Sequence, residues 1–249
     1  MLTQDRYQLI VDIITEKNTV TVAELSEALH ISESTVRRDL TALDKLGRIR
    51  KFFGGATVIN RNEGFHEDAV SVREALMNEE KTAIGKYAAE LIADNDFVYI
   101  DSGTTTLRLI DFIQNKNATY ITNGITHARK LIHNGFNAYI IGGKIKALTE
   151  AMVGSEAIAN LNSFNFSKAF MGTNGIDLRT GCTTPDLEEA KIKQAAMERS
   201  STVFVLADNT KFGRVFPVTF SKLGRCCIIT DKLPDNRFRN ETIIKEVGT

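Results

Sequence analysis

From residue 97 onward the chain repeats one pattern: a short run of apolar, β-favouring residues, a polar turn, then a stretch of helical period. The apolar runs fall at 97–101, 119–122, 138–142, 169–172, 202–207 and 226–230. Helical stretches are read at roughly 104–115, 125–134, 152–162 and 186–199. Strands separated by helices return most readily as parallel neighbours, so the pattern predicts a mainly parallel, Rossmann-like α/β sheet. Such sheets bind ligands outside the carboxyl ends of their strands. The polar residues at those ends are therefore the candidates for chemistry.

The first strand ends in Asp101-Ser102-Gly103-Thr104-Thr105-Thr106 and runs into a helix. Ordinary N-capping needs one hydroxyl, whereas this turn offers four beside a glycine, a composition suited to an anion such as a phosphate. The second strand ends in Thr122-Asn123 and the third in Gly142-Gly143-Lys144. The fourth ends in Thr173, Asn174 and Asp177, and the fifth in Asp208 and Lys211. Lysine suits a phosphate and the acids suit sugar hydroxyls, so these ends together predict a crevice for a hydroxylated, anionic small molecule. For Asp177 taken alone, turn formation is the simpler reading.

The first sixty residues follow a different plan. Leu9, Ile10, Ile13 and Ile14 mark a helix over 3–17, and Thr21 with Glu24 forms a capping box for a second one. After the turn at 30–32, a third helix carries Val36, Leu40, Leu43 and Leu46 on its inner side and stops at Gly47. Two short helices, a tight turn and a third helix make a helix-turn-helix, which places the start of its last helix in the major groove of DNA. Ser32, Ser34, Thr35, Arg37 and Arg38 stand there, and Arg48, Arg50 and Lys51 lead into a hairpin around Gly54-Gly55 that reads as a wing. Charge supports this reading. The chain has 31 basic and 31 acidic residues, yet residues 1–33 hold two basic and six acidic ones, and residues 34–61 hold seven basic and two acidic. A zero net charge thus conceals a basic segment of the kind that meets phosphates.

These features divide the chain into a winged head at 1–59, a polar, aperiodic linker at 60–72 and an α/β body at 73–249 that opens with a helix over about 73–93. No apolar run is of bilayer-spanning length, and the N-terminus is already amphipathic, so neither a membrane nor a secretory leader is expected and the cytoplasm is. The three cysteines, Cys182, Cys226 and Cys227, lack metal-ligand spacing and read as buried free thiols. His127 and His133, six apart, read as surface positions, and no metal or cofactor is expected.

The run Arg6-x3-Ile10-x3-Ile14-x17-Ser32-x2-Thr35-Val36-Arg37-Arg38-Asp39-Leu40, with the Gly-Gly-Ala turn at 54–56, resembles the head of the DeoR family of bacterial regulators. The body resembles that family's sensor domain in Ile100-Asp101-Ser102-Gly103-Thr104-Thr105, Thr122-Asn123, Gly172-Thr173-Asn174-Gly175-Ile176-Asp177, Thr184-Pro185-Asp186 with Glu189-Ala190, and Ala207-Asp208 with Lys211-Phe212-Gly213. The resemblance implies a sensor related to ribose-5-phosphate isomerase, a phosphosugar effector, operator DNA as partner, a homo-oligomer, and repression of a sugar uptake or catabolic operon. Within the family the chain looks most like the fructose-operon repressors, whose implied effector is fructose 1-phosphate. It also implies that Asp39 steadies arginine side chains or the helix rather than contacting a ligand.

An isomerase carrying a DNA-binding head is the competing reading. Related isomerases hold an Asp-Gly-Ala-Asp loop, whereas this chain has Asn174 where a carboxylate would act as base, leaving Glu150 or Asp177 to serve. The regulator is the better reading. Whether the effector releases or tightens DNA is left open by the residues.

Overall fold

Ile10 and Ile14, one helical turn apart, are both fully buried, as are Leu25, Val36, Leu40 and Leu43. They form a small core around which the first of two compact units, Met1–Gly64, closes; the second is Phe65–Thr249. The computed structural model describes residues 3–17, 19–45, 48–52, 54–57 and 77–248. The linker expected at 60–72 lies outside them, as do Leu46, Gly47 and the start of the helix expected from 73.

The first unit runs α1 (Thr3–Lys17), β1 (Thr19–Thr21), α2 (Val22–Leu29), α3 (Glu33–Lys45), β2 (Arg50–Phe52) and β3 (Gly55–Thr57). The capping box is present: Glu24 N–H donates to Thr21 Oγ1 at 3.2 Å, and Thr21 N–H donates to Glu24 at 2.7 Å. His30 closes α2 in the left-handed region, φ 52°. The wing is three-stranded, in the antiparallel order β1-β3-β2. Strand β1 was not expected. Gly55 is required at the pairing, because a Cβ there would lie 2.3 Å from Val20 O. Asp39, 1% exposed, takes a two-pronged grip from Arg6, with Nε–Oδ2 at 2.6 Å and a second bond at 3.2 Å. It therefore joins α3 to α1, and the arginine it steadies belongs to the first helix.

In the second unit, α4 (Asn78–Glu90) precedes seven parallel strands: β4 (Phe97–Ile100), β5 (Thr119–Thr122), β6 (Asn137–Ile140), β9 (Phe166–Gly172), β12 (Ser200–Leu206), β14 (Cys227–Thr230) and β15 (Ile244–Glu246). Their order is β15-β14-β12-β9-β4-β5-β6. Alternate residues face opposite layers. Val98 and Ile100 pack with Ile84 of α4, Leu107 of α5 (Thr104–Leu109) and Leu131 of α6 (Ile125–His133). Tyr99 packs with Leu161 of α7 (Ser155–Asn162) and with Ile192 and Ala196 of α8 (Leu187–Glu198). Burial on both faces explains why β4, β5, β9, β12 and β14 are legible as apolar runs, whereas the edge strand β6 is mostly exposed and β15, at the other edge, was not expected.

Several elements depart from expectation. The helix expected over 104–115 is α5 followed by a 3-10 turn, Ile110–Phe112. The helix expected from 152 starts at Ser155, because 144–153 forms a hairpin of β7 (Lys144–Lys146) and β8 (Ala151–Val153). A second small antiparallel sheet, β10 (Gly175–Asp177), β11 (Gly181–Thr184) and β13 (Val218–Ser221), was also unexpected. Cys182 and Cys226 are buried free thiols, and Cys227 is half-buried. No helix among the described residues is long and apolar enough to cross a membrane.

Replacing Thr21 with Ala removes the cap of α2 and is expected to lower the head's stability by about 1 kcal/mol. Native-state hydrogen exchange checks this: head amides should lose protection, and amides of β4 and β9 should not.

Candidate functional site

Strand order reverses at β4: β5 and β6 lie on one side, and β9, β12, β14 and β15 on the other. Open sheets of this kind bind ligands at such a switch point, and here a buried ion pair stands at it. Asp101, at the end of β4, is 1% exposed and accepts from Gly172 N–H at the end of β9 (2.9 Å) and from Lys193 of α8. Lys193 Nζ also donates to Gly172 O at 3.0 Å. Asp101, chosen from the sequence as a ligand contact, thus holds two strand ends and a helix together, and Lys193 was not foreseen.

A cleft lies one step over, at the ends of β4 and β5. It is small, opens to solvent, and is lined by Ser102, Gly103, Thr104, Leu107, Thr126, His127, Thr149 and Glu150. Both α5 and α6 start at its walls, with glycine, Gly103 and Gly124, at each N-cap and no side-chain cap on either. First-turn N–H groups of a helix have no intrahelical partner; here those of Gly103 and Ile125 are taken by Thr106 Oγ1 and Glu150 O, and those of Thr104 and Thr126 stand at the cleft. Gly124 permits the close approach: a Cβ there would lie 2.6 Å from His127 Nδ1 and 3.0 Å from Ser102 Cβ. Asn123, buried, sets the turn by accepting from Ser102 N–H at 3.0 Å. Thr106 is fully buried and braces the same turn, accepting from Gly103 N–H (3.0 Å) and donating to Asp101 O (2.5 Å).

His127 corrects the surface reading: it is buried, and its Nε2 lies 3.0 Å from Gly103 O and 3.2 Å from Thr106 Oγ1. A carbonyl can only accept, so Nε2 carries the proton and Nδ1 is left as the acceptor. Burial pushes the imidazole pKa down to about 4, against the opposing pull of Gly103 O and the Asp101 charge. Glu150, on the loop before β8, has φ +51°, a conformation rare for a non-glycine residue. Its Oε2 accepts from Thr126 Oγ1 at 2.5 Å, and its carbonyl accepts from Ile125 N–H at 3.0 Å.

The remaining candidates are placed elsewhere. Thr105 is buried, and Thr122 accepts from Gly124 N–H at 3.1 Å. Gly143 is where a Cβ would strike Ala157 and Val153 O, both at 2.8 Å, and Lys144 pairs with Glu188 at 3.0 Å. Thr173 donates to Gly175 O (2.9 Å), and Asn174 accepts from Thr184 (3.1 Å). Asp177 Oδ1 accepts from the N–H groups of Arg179 and Thr180. Burial raises its pKa, but those bonds outweigh it and the net shift is downward. Asp208 is fully buried and caps a 3-10 turn through Thr210, while its Oδ2 makes no hydrogen bond and faces Lys211 Nζ at 3.8 Å. No His/Cys/Asp/Glu cluster with metal-binding geometry occurs among the described residues.

In the head, Ser32 caps α3, its Oγ lying 2.9 Å from Thr35 Oγ1 and 3.0 Å from Ser34 Oγ. Arg37 and Arg38 are exposed, and Arg37 pairs with Glu33 at 2.9 Å. Arg48 donates to Gln8 (2.7 Å) and Lys51 to Thr41 (2.6 Å), so both point from exposed positions toward the helices. The side chain of Arg50 lies outside the described residues.

Comparison with known proteins agrees with this layout. The DeoR-like helix-turn-helix domain matches residues 6–62 and the DeoR C-terminal sensor domain residues 76–232. The chain is 36% identical to the uncharacterized HTH-type transcriptional regulator FruR of Bacillus subtilis, over 99% of each chain. It is 36% identical to IolR of the same organism, over 98% of this chain and 97% of that one. It is 32% identical to the lactose phosphotransferase system repressor of Staphylococcus aureus, over 96% and 95%. Among solved structures, ribose 5-phosphate isomerase from Plasmodium falciparum aligns with 55% of this chain and 53% of its own, at 16% identity and a TM-score of 0.41.

Two outcomes follow. Lys193→Ala strands a buried carboxylate and is expected to cost about 3–5 kcal/mol in denaturant unfolding, with Asp101→Asn/Lys193→Met recovering part of the loss. Unfolded, His127 binds a proton below about pH 6.5; folded, it does so only near 4. The unfolded state thus holds more protons in that window, and stability falls as pH drops, by about 1.4 kcal/mol per unit. Unfolding of His127→Gln beside the parent across pH 6.5 to 4 should show the shallower decline in the variant.

Proposed function

Because the chain belongs to the DeoR family of transcriptional regulators, and not to a family of enzymes, we propose that it represses a sugar uptake or catabolic operon under the control of a phosphosugar bound in the body. One observation carries the effector part: the cleft at the ends of β4 and β5, where Ser102, Gly103, Thr104 and Thr126 meet at the starts of two helices. Neutral N–H groups and hydroxyls suit a phosphate, and Thr149, His127 and Glu150 suit sugar hydroxyls. Fructose 1-phosphate is the first candidate, since one relative of full length bears the name FruR. Asp101 and Asn123 support the turn from below.

Operator DNA is read by the start of α3, with Ser34, Thr35, Arg37 and Arg38 toward base edges and phosphates. Arg48, Arg50 and Lys51 lie along the backbone, Lys51 and Arg48 exchanging uncharged partners for phosphate. A homo-oligomer presents its heads to repeated half-sites. Effector and operator are then coupled reciprocally: whatever factor the sugar phosphate applies to DNA affinity, DNA applies to sugar-phosphate affinity.

The experiment is promoter binding by the purified protein, titrated with fructose 1-phosphate and other sugar phosphates at fixed salt. A change in DNA affinity with one of them supports the reading, and indifference to all of them contradicts it. Arg38→Ala should weaken DNA binding and flatten the salt dependence by about one counterion while leaving sugar-phosphate affinity unchanged. Thr104→Ala should do the opposite.

A further inference from the structure

Of the eight residues that line the cleft, Glu150 is the one carboxylate, and the other ionisable side chain, His127, is a buried imidazole bonded to Gly103 O. Lysines are close by in sequence, but Lys144 and Lys146 are paired with Glu188 and with Asp186 and Glu189 on α8. The walls formed by Ser102–Thr104 thus supply neutral donors, and the Glu150 side supplies a carboxylate, fixed by Thr126 Oγ1 at 2.5 Å. The two sides ask different things of a ligand. Neutral donors accept one anionic group. A carboxylate accepts hydrogen bonds from hydroxyls strongly and repels any second anion placed against it.

We infer that Glu150 sets the ligand specificity of the cleft: it admits a small molecule with one phosphate and hydroxyl donors beyond it, and turns away one with a second phosphate or a carboxylate. This rests on the cleft being the phosphosugar site. Discrimination here comes from a repulsive element as well as an attractive one, which lets one residue separate ligands that share the same sugar. Thr126 is the positioning residue, since its hydroxyl holds the Glu150 carboxylate in place.

The test is calorimetric titration of the full chain and of Glu150→Gln, an exposed position whose variant keeps size and hydrogen bonding. The probes are two pairs, fructose 1-phosphate with fructose 1,6-bisphosphate and glucose 6-phosphate with glucose 1,6-bisphosphate. The parent should bind a monophosphate at least about tenfold more tightly than its bisphosphate, and Glu150→Gln should narrow the gap to about threefold, mainly by gaining bisphosphate affinity. Equal binding of both members of a pair by the parent, or an unchanged gap in Glu150→Gln, overturns the inference and leaves the phosphosugar reading standing. Failure of all four to bind overturns both. Circular dichroism of the variant, matching the parent, assures that a narrowed gap reflects charge and not a misfolded cleft.

Discussion

A carboxylate and an ammonium buried side by side, Asp101 and Lys193, tie the centre of the sheet to the helix that covers it. Asp101 and Lys193 occupy the point at which strand order reverses, and they pair in the interior there. Two ions out of water are expensive, and the pair persists because the remaining valences are met: Gly172 donates its N–H to Asp101 and offers its carbonyl to Lys193. The result is a rigid joint between β4, β9 and α8. The turn that follows Asp101 is therefore held from behind, and Ser102–Thr104 face the β5 side.

The electrostatics of the cleft follow from that placement. Lys193, which reaches the strand end before the turn, is spent on Asp101, and burial pushes the pKa of the imidazole that braces the turn down to about 4. On the proposed reading, an anion in the cleft is held by dipoles, N–H groups and hydroxyls. Such neutral recognition is directional, and it suits a sensor, which has to release its ligand when the concentration falls. Glu150 adds the opposite sign at the same cleft, held by Thr126 in a backbone conformation that few glutamates adopt.

The inner strands of the main sheet were legible in the sequence because both their faces are buried, which turns them into apolar runs bounded by polar turns, whereas the edge strand β15, Ile-Lys-Glu, was not expected. The capping box at Thr21 and Glu24 was legible for a different reason, being a contact three residues long. Strands of three or four residues, such as β1, β7, β10 and β13, leave no period to read and are specified by what they pair with. The site divides along the same line. Ser102, Gly103 and Thr104 announce themselves by clustering, whereas Thr126, His127, Thr149 and Glu150 join them only through the fold. Lys193 sits in the run Glu-Glu-Ala-Lys-Ile-Lys, which reads as a solvated helix face, and its partner is 92 positions away. His127 is buried by a missing Cβ at Gly124, a cause no spacing rule detects.

Amide hydrogen exchange with and without saturating fructose 1-phosphate tests most directly where the effector sits. Added protection at 104–106 and 126–127 is the predicted result, because these first-turn N–H groups of α5 and α6 would donate to the ligand. Protection confined to 172–177 and 208–213, with the starts of α5 and α6 unchanged, would contradict the account and move the site to the other side of the Asp101–Lys193 joint.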